Sequence, residues 1–431
     1  MKIAIPFLAL YAVLSLTSMA GMNLGFLLVF IIFTLSLKTG MAQRSLQLLR
    51  QTTGFQNYLW AGAALFVTCL LSLAVAKVDP FAYAGHEPEI TLHGFLKIWY
   101  LMCPFVLALV FGAQTNDLRT GLSFLTRAWW SMTLLLGGVA IVQFNTGLPF
   151  RQVIPTNPDH FHATLFFGHH LSTSSILIFP AFTALAVAVG AWIRNRQLRR
   201  LEWLAGVTGI LILFLSYART AWLAIPVGLT LIFARYLRPK TFAWSTLGLL
   251  VLLALGSQTP AMKERIQNSM GIRDRFLLWE ANLDYFKHRP ITGIGWLKTQ
   301  EMSEFYFKEK FPETYRDYFW GHAHNNFFEM LGGTGILGTL AFLFWTAFTL
   351  SFAVATRKMA EDRGDFFLAD FSSGLWVALL LLHFNGLTNV TFWEGKVMHQ
   401  QMFAVALLFM IQMALLGRHD HRTETPGSQP Q

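Results

Sequence analysis

Apolar stretches about as long as a bilayer's hydrocarbon core is thick recur along the whole chain, and nothing else in the sequence constrains its fold as strongly. A helix needs roughly 20 apolar residues to cross about 30 Å of hydrocarbon. Runs of about that length cover 3–18, 20–37, 57–76, 94–113, 128–146, 172–193, 201–217, 220–235, 242–257, 334–356, 366–388 and 398–416. Lipid offers no partner for a backbone amide or carbonyl, so such runs must satisfy their own hydrogen bonds as helices. The expectation is an all-α polytopic membrane protein with about twelve transmembrane helices. Only 13% of the 431 residues are charged, about half the share of a soluble domain.

Lys and Arg set the orientation. With the N-terminus cytoplasmic, Lys38, Arg44, Arg50, Arg119, Arg127, "RNRQLRR" at 194–200, Arg235, Arg238, Lys240, "RKMAEDR" at 357–363, Arg418 and Arg422 all fall on one side. The opposite loops hold few basic residues, as the positive-inside rule requires. The net charge of +10 is thereby a topology signal and not a nucleic-acid footprint, so nucleic acid is excluded as a partner. The stretch after Lys2 resembles a signal peptide, but a second apolar run follows at once, and it reads as an uncleaved anchor. Cys69 and Cys103 fall inside spans as small apolar side chains. A single membrane domain is expected over 1–416, with a disordered polar tail from 417.

Two outside segments exceed ordinary connections: 147–171 and a larger one at 258–333. In the larger one, Phe276, Trp279, Leu283 and Phe286 form an apolar stripe at helical spacing, suited to a membrane surface or a neighbouring helix. Pro290 and the "GIG" at 293–295 end that helix. The aromatics of "EFYFKEKFPETYRDYFW" suit the interfacial zone.

"GHAHNNFFEMLGGTGILG", 321–338, gathers polar chemistry just before an apolar run. His322 and His324 invite a metal reading, yet residues two apart diverge on a helix and no carboxylate or cysteine cluster accompanies them. Asn325 is suited to cap a following helix. Gly335 and Gly338 strip bulk from one face and permit close helix approach, seating the helix end that carries His324. His324 reads either as an interfacial histidine beside aromatics or as a general base near neutral pH. Arg219 lies between two spans with no acidic neighbour in sequence. It either snorkels to the headgroups or lines a pocket for an anion. Arg275 falls on the apolar stripe one turn before Trp279, an odd place for a solvating charge. A guanidinium fork matches phosphate oxygens, so Arg219 and Arg275 on one membrane face suit a diphosphate, with Arg151 a candidate third contact. His160, His162, His169 and His170 read as ordinary loop residues.

Three segments in order, "SYARTAW", "RFLLWEANLDYFKHRPITGIGW" and the run His324, Asn325, Gly335, Gly338, Thr339, resemble the bacterial lipopolysaccharide O-antigen ligases and the related polymerases and protein oligosaccharyltransferases. The resemblance covers residues 166–350; the N-terminal third matches in hydropathy alone, and Thr220 stands where the family often has glycine. It implies a C-type membrane fold and a metal-independent, inverting glycosyltransferase without cofactor. Such an enzyme moves a glycan from undecaprenyl diphosphate to lipid A core at the periplasmic face of the bacterial inner membrane, with both termini cytoplasmic. The family's essential histidine and arginines carry over to His324, Arg219 and Arg275, with Asn325, His322, Gly335 and Gly338 supporting them.

Ligase is favoured over protein O-glycosylation because no C-terminal soluble domain is present in the sequence. A polymerase is the nearest alternative: Arg316 and Gly332 match one Arg-x15-Gly pattern, whereas two sizeable outside loops would be expected. A polytopic transporter is disfavoured by the lack of paired acidic residues inside spans and of matched broken helices.

Overall fold

Why the apolar runs become helices is settled by the lack of any other backbone solution in lipid; how they pack decides where the polar residues meet. The computed structural model describes residues 4–38, 40–82, 85–90, 97–113, 117–148, 155–157, 160–238, 240–244, 246–248, 251, 270–315 and 321–423. The described helices are α1 (Ala4–Leu14), α2 (Met19–Lys38), α3 (Met41–Arg50), α4 (Phe55–Val78), α5 (Cys103–Gly112, preceded by a 3-10 segment, Lys97–Met102), α6 (Leu118–Thr146) and α7 (His170–Asn195). They continue with α8 (Arg200–Leu215), α9 (Arg219–Ala234), α10 (Met270–His288), α11 (Thr299–Lys310), α12 (Asn326–Asp362), α13 (Phe366–Asn385) and α14 (Gly395–Thr423). A small antiparallel pair, Pro155–Asn157 with His160–Phe161, lies in the first outside segment.

Among the described residues seven helices are long and apolar enough to cross a membrane: α2, α4, α6, α7, α12, α13 and α14 up to Gly417. This is a multi-pass membrane protein. Shorter helices, α1, α5 with its 3-10 turn, and α9, occupy other apolar runs. The run at 242–257 lies mostly outside the described residues. The last helix continues to Thr423, past the tail boundary expected at 417.

The windows of α7 and α14 are each 89% buried, against 33% for α2 and α4, so α7 and α14 form the centre and α2 and α4 its lipid-facing flank. Around them α13 packs on α7, α12 lies between α13 and α4, and α10 rests on α12.

The two ends of the bundle differ in chemistry. At one end Asp370, its side chain 1% exposed, accepts from Arg235 at 2.9 Å and from Tyr236 at 2.8 Å and pairs with Arg194. Arg235 also pairs with Glu361, and Arg119 with Asp365 at 2.9 Å. The other end carries histidines, amides and the two helices of the larger outside segment. There Phe81, Leu278, Ala281, Ile294, Tyr306 and Phe307 make a separate small core. The buried face of α10 is thus Leu278, Ala281 and Tyr285; the expected stripe lies beside it, with Phe276 and Leu283 exposed. Tyr306 and Phe307, expected at a membrane interface, are buried in that same core because α10 and α11 pack on each other.

Candidate functional site

The site grows from a turn. Asn325 caps α12: its Oδ1 accepts from the amides of Phe327 and Phe328 at 2.8 and 3.2 Å. Its amide nitrogen donates to the Leu387 carbonyl at 2.8 Å, tying the helix start to the end of α13. Asn326 donates to Thr391 Oγ1 at 2.9 Å and accepts from its amide at 2.8 Å, so a second asparagine stitches the same two strands of chain. Glu329, one turn into α12, accepts from the Ala323 amide at 2.7 Å and from the Thr299 hydroxyl. These bonds clamp residues 322–324 on both sides.

Within the clamp, His324 adopts φ 47, a left-handed conformation unusual for a residue with a side chain. That reversal removes the divergence expected of residues two apart on a helix. The two imidazoles instead approach to 4.2 Å between centroids, and the His324 amide donates to His322 Nδ1 at 3.2 Å. Among the described residues no three His, Cys, Asp or Glu side chains come together in a way that would hold a metal ion.

Gly335 and Gly338 act differently from the expectation. Gly335 has φ 62 and ψ −162, which breaks α12 locally, and a Cβ there would stand 2.5 Å from the Ile291 carbonyl. The close partner is therefore the loop after α10, not another helix. Ile294 and Gly295 donate to the carbonyls of Gly332 and Gly333, each at 3.0 Å, and Ile336 donates to Pro290 at 2.9 Å. Gly293, φ 65, would push a Cβ to 2.4 Å from the Gly333 backbone. The "GIG" and "GGTG" stretches thus exist to let two backbones touch. Gly338 faces Thr334 of its own helix, where a Cβ would meet the hydroxyl at 2.0 Å.

That seam holds α10 against the turn. Trp279 donates to the Ala323 carbonyl at 2.8 Å, and its ring stacks on Phe328 at 5.0 Å. Arg275, one turn earlier on the same face, is thereby brought beside the histidines. Its positive charge bears on both His322 and His324.

Arg219 reaches the same neighbourhood from α9. Tyr217 takes φ 55, ending α8 and turning the chain so that Arg219 is the first residue of α9. Trp222 braces the turn by donating to the Phe214 carbonyl at 2.9 Å. A cation at a helix N-terminus opposes the helix dipole, so this placement costs stability unless an anion shares it. Burial, and then the charge of Arg219, hold the Arg275 guanidinium below its ordinary value. Among the described residues neither arginine forms an ion pair. Arg151 lies outside the described residues, as does Arg316.

The histidines are shifted strongly. Burial, and then His322, Arg275 and His169, hold His324 at about 3. Burial, and then His169 and Arg275, hold His322 at about 4. Both are neutral imidazoles at pH 7. A pocket of about 440 Å³ opens beside them, lined among others by Lys97, His169, Gln300, Trp393 and Glu394. His169 was read from sequence as an ordinary loop residue, yet its charge bears on both site histidines. Glu394 accepts from the Ser172 hydroxyl, and burial raises its carboxyl. The one sequence signal for Glu394 and Lys97 was a single charge at the edge of an apolar run.

Residues 204–343 match the family model described as O-antigen ligase. The matched segment, about a third of the chain, is thus similar to O-antigen ligases. No curated protein matches the chain. The matched segment contains Arg219, Arg275, His322 and His324 together, along with the loop-to-helix seam that positions them. Lys97, His169 and Glu394, which complete the pocket, lie outside it.

Proposed function

We propose that the protein is an O-antigen ligase, transferring a glycan from undecaprenyl diphosphate to lipid A core at the periplasmic face of the bacterial inner membrane. The observation that carries this is the electrostatic neighbourhood at one turn: two arginines whose charges repel each other stand beside a neutral, buried imidazole. Mutual repulsion is relieved when a polyanion sits between the guanidinium groups, and a diphosphate offers oxygens in the right arrangement.

In the reaction, the acceptor hydroxyl oxygen forms a bond to the anomeric carbon of the donor sugar from the face opposite the leaving group. The bond from that carbon to the diphosphate oxygen breaks, and its electron pair leaves with the diphosphate. Arg219 and Arg275 offset the charge that builds there. The hydroxyl proton passes to His324, which is neutral and therefore able to accept it. Asn325 and His322 hold the turn that presents it. A polyprenyl carrier keeps its tail in lipid and its reactive carbon at headgroup level, which explains why these groups gather where helices meet water.

The test is an in vitro transfer reaction with purified lipid-linked donor and either lipid A core or a shorter glycan as acceptor, with a chelator present. Product on lipid A core is expected; chain lengthening of the glycan alone would indicate a polymerase. His324→Ala is expected to abolish transfer while the protein remains in the membrane, and near-normal transfer by that variant removes His324 from the mechanism.

A further inference from the structure

His324 borders two neighbourhoods that differ in charge. In one are Arg275 and Arg219, a concentrated positive field. The other is the pocket of about 440 Å³ that His324 lines, within the ordinary range for small-molecule sites. Neither arginine lines that pocket. Its polar walls are Lys97, the carboxyl groups of Glu329 and Glu394, the amides of Gln300 and Asn389 and neutral imidazoles, so no single sign of charge prevails. Such a wall recognises a ligand through many neutral donors and acceptors, and it would hold a diphosphate poorly.

The pocket also has an aromatic wall. Trp393 lines it, and Trp393 is held rigidly by Trp296 at 5.1 Å and 76° and by Phe392 at 4.3 Å and 70°. A fixed indole beside Gln300, Lys97 and Glu394 is suited to a pyranose ring, which has apolar C–H faces and hydroxyls around its edge. Glu394 is itself oriented by the Ser172 hydroxyl at the start of α7. The walls come from five separate places: the 3-10 segment before α5, the loop before α7, the start of α11, the turn into α12 and the approach to α14. Their meeting point is created by packing alone.

We propose that this pocket is the acceptor-sugar subsite, in which Gln300, Lys97 and Glu394 contact hydroxyls of an uncharged saccharide ring stacked against Trp393. It rests on the glycan-transfer reading above. The acceptor hydroxyl then lies beside His324, with the anomeric carbon of the donor between that hydroxyl and the diphosphate held by the arginines.

Initial rates test the assignment, with acceptor varied at saturating donor and donor varied at saturating acceptor, for Gln300→Ala, Lys97→Ala and Glu394→Gln. Loss of one neutral hydrogen bond is worth about a three- to tenfold change in affinity. The acceptor KM is therefore expected to rise about three- to tenfold in each variant, with the donor KM within about twofold of wild type. Arg275→Lys should show the reverse. A rise in donor KM, or no change in either constant, overturns the subsite.

Titration of a core oligosaccharide carrying no lipid into the detergent-solubilised full chain, bearing His324→Ala with or without Gln300→Ala, reads the pocket without turnover. Binding that weakens on adding Gln300→Ala supports the subsite; equal binding, or none to either form, overturns it. If His324→Ala transfers glycan normally while Gln300→Ala still weakens binding, the catalytic reading fails and the subsite stands. If His324→Ala is inactive and Gln300→Ala leaves acceptor affinity intact, the subsite alone falls.

Discussion

An imidazole that serves as a base must be neutral, and burial sets how far the pH can fall before His324 takes up a proton. An ordinary histidine titrates near about 6.5, and at pH 5 about 97% of it is protonated. His324 is held at about 3 by burial, and then by His322, Arg275 and His169. At pH 5 it is protonated in about 1% of molecules. Because the folded value lies below the unfolded one, the neutral form survives as pH falls through 6.5 and is lost only on approaching 3. The same linkage lowers stability across that interval, since the unfolded chain binds a proton that the folded chain refuses.

The observable is kcat/KM, which reports groups of the free enzyme. It is expected to stay within about twofold between pH 7 and pH 5, against a roughly 25-fold fall for an unperturbed imidazole. The assay follows transfer of labelled glycan to lipid A core in detergent micelles at constant ionic strength, with the donor below saturation. Arg275→Gln removes one of the charges holding His324 down, so the acid limb of its residual activity moves to higher pH. Arg275→Lys retains the charge while losing the bidentate fork, so turnover falls with the limb in place. A wild-type limb centred near pH 6.5, or identical limbs in the Gln and Lys variants, would refute the electrostatic account.

Gly335→Ala places a methyl 2.5 Å from the Ile291 carbonyl at a φ of 62, and the loss of stability is expected to reach about 3 kcal/mol; an unchanged thermal midpoint in detergent would contradict the backbone seam. Asn325→Ala removes the acceptor for two helix-start amides at 2.8 and 3.2 Å, a cost of about 1–2 kcal/mol. Amide exchange at Phe327 and Phe328 should accelerate roughly tenfold, and unaltered exchange argues against the cap. Asp370→Asn leaves Arg194 without its counter-charge and Arg235 with Glu361 alone, and about 3–5 kcal/mol of stability should be lost. Denaturant or thermal unfolding checks it; wild-type stability would mean the network is dispensable.

What the linear chain determined is whatever lipid dictates locally. An apolar run of sufficient length has one way to satisfy its amides, so the helical character of α2, α4, α6, α7, α12, α13 and α14 was legible residue by residue. Asn325 as a helix cap was legible for the same reason, because capping depends on the next three residues only. The resemblance to O-antigen ligases was carried by short stretches that agree with the matched segment at 204–343.

Three-dimensional packing decided the rest. Periodicity could not foresee the left-handed backbone at His324, which turns two imidazoles expected to diverge into neighbours 4.2 Å apart. It misassigned the partner of Gly335, because small size announces close approach without saying to what. His169 was indistinguishable from a loop histidine, and Lys97, Gln300 and Glu394 drew no notice. Each belongs to a different helix end, and charge and burial at such a place are properties of the assembled bundle. A residue's chemistry is written in its side chain, but its pKa and its neighbours depend on elements distant in sequence, which the order of residues along the chain does not bring together until the helices pack.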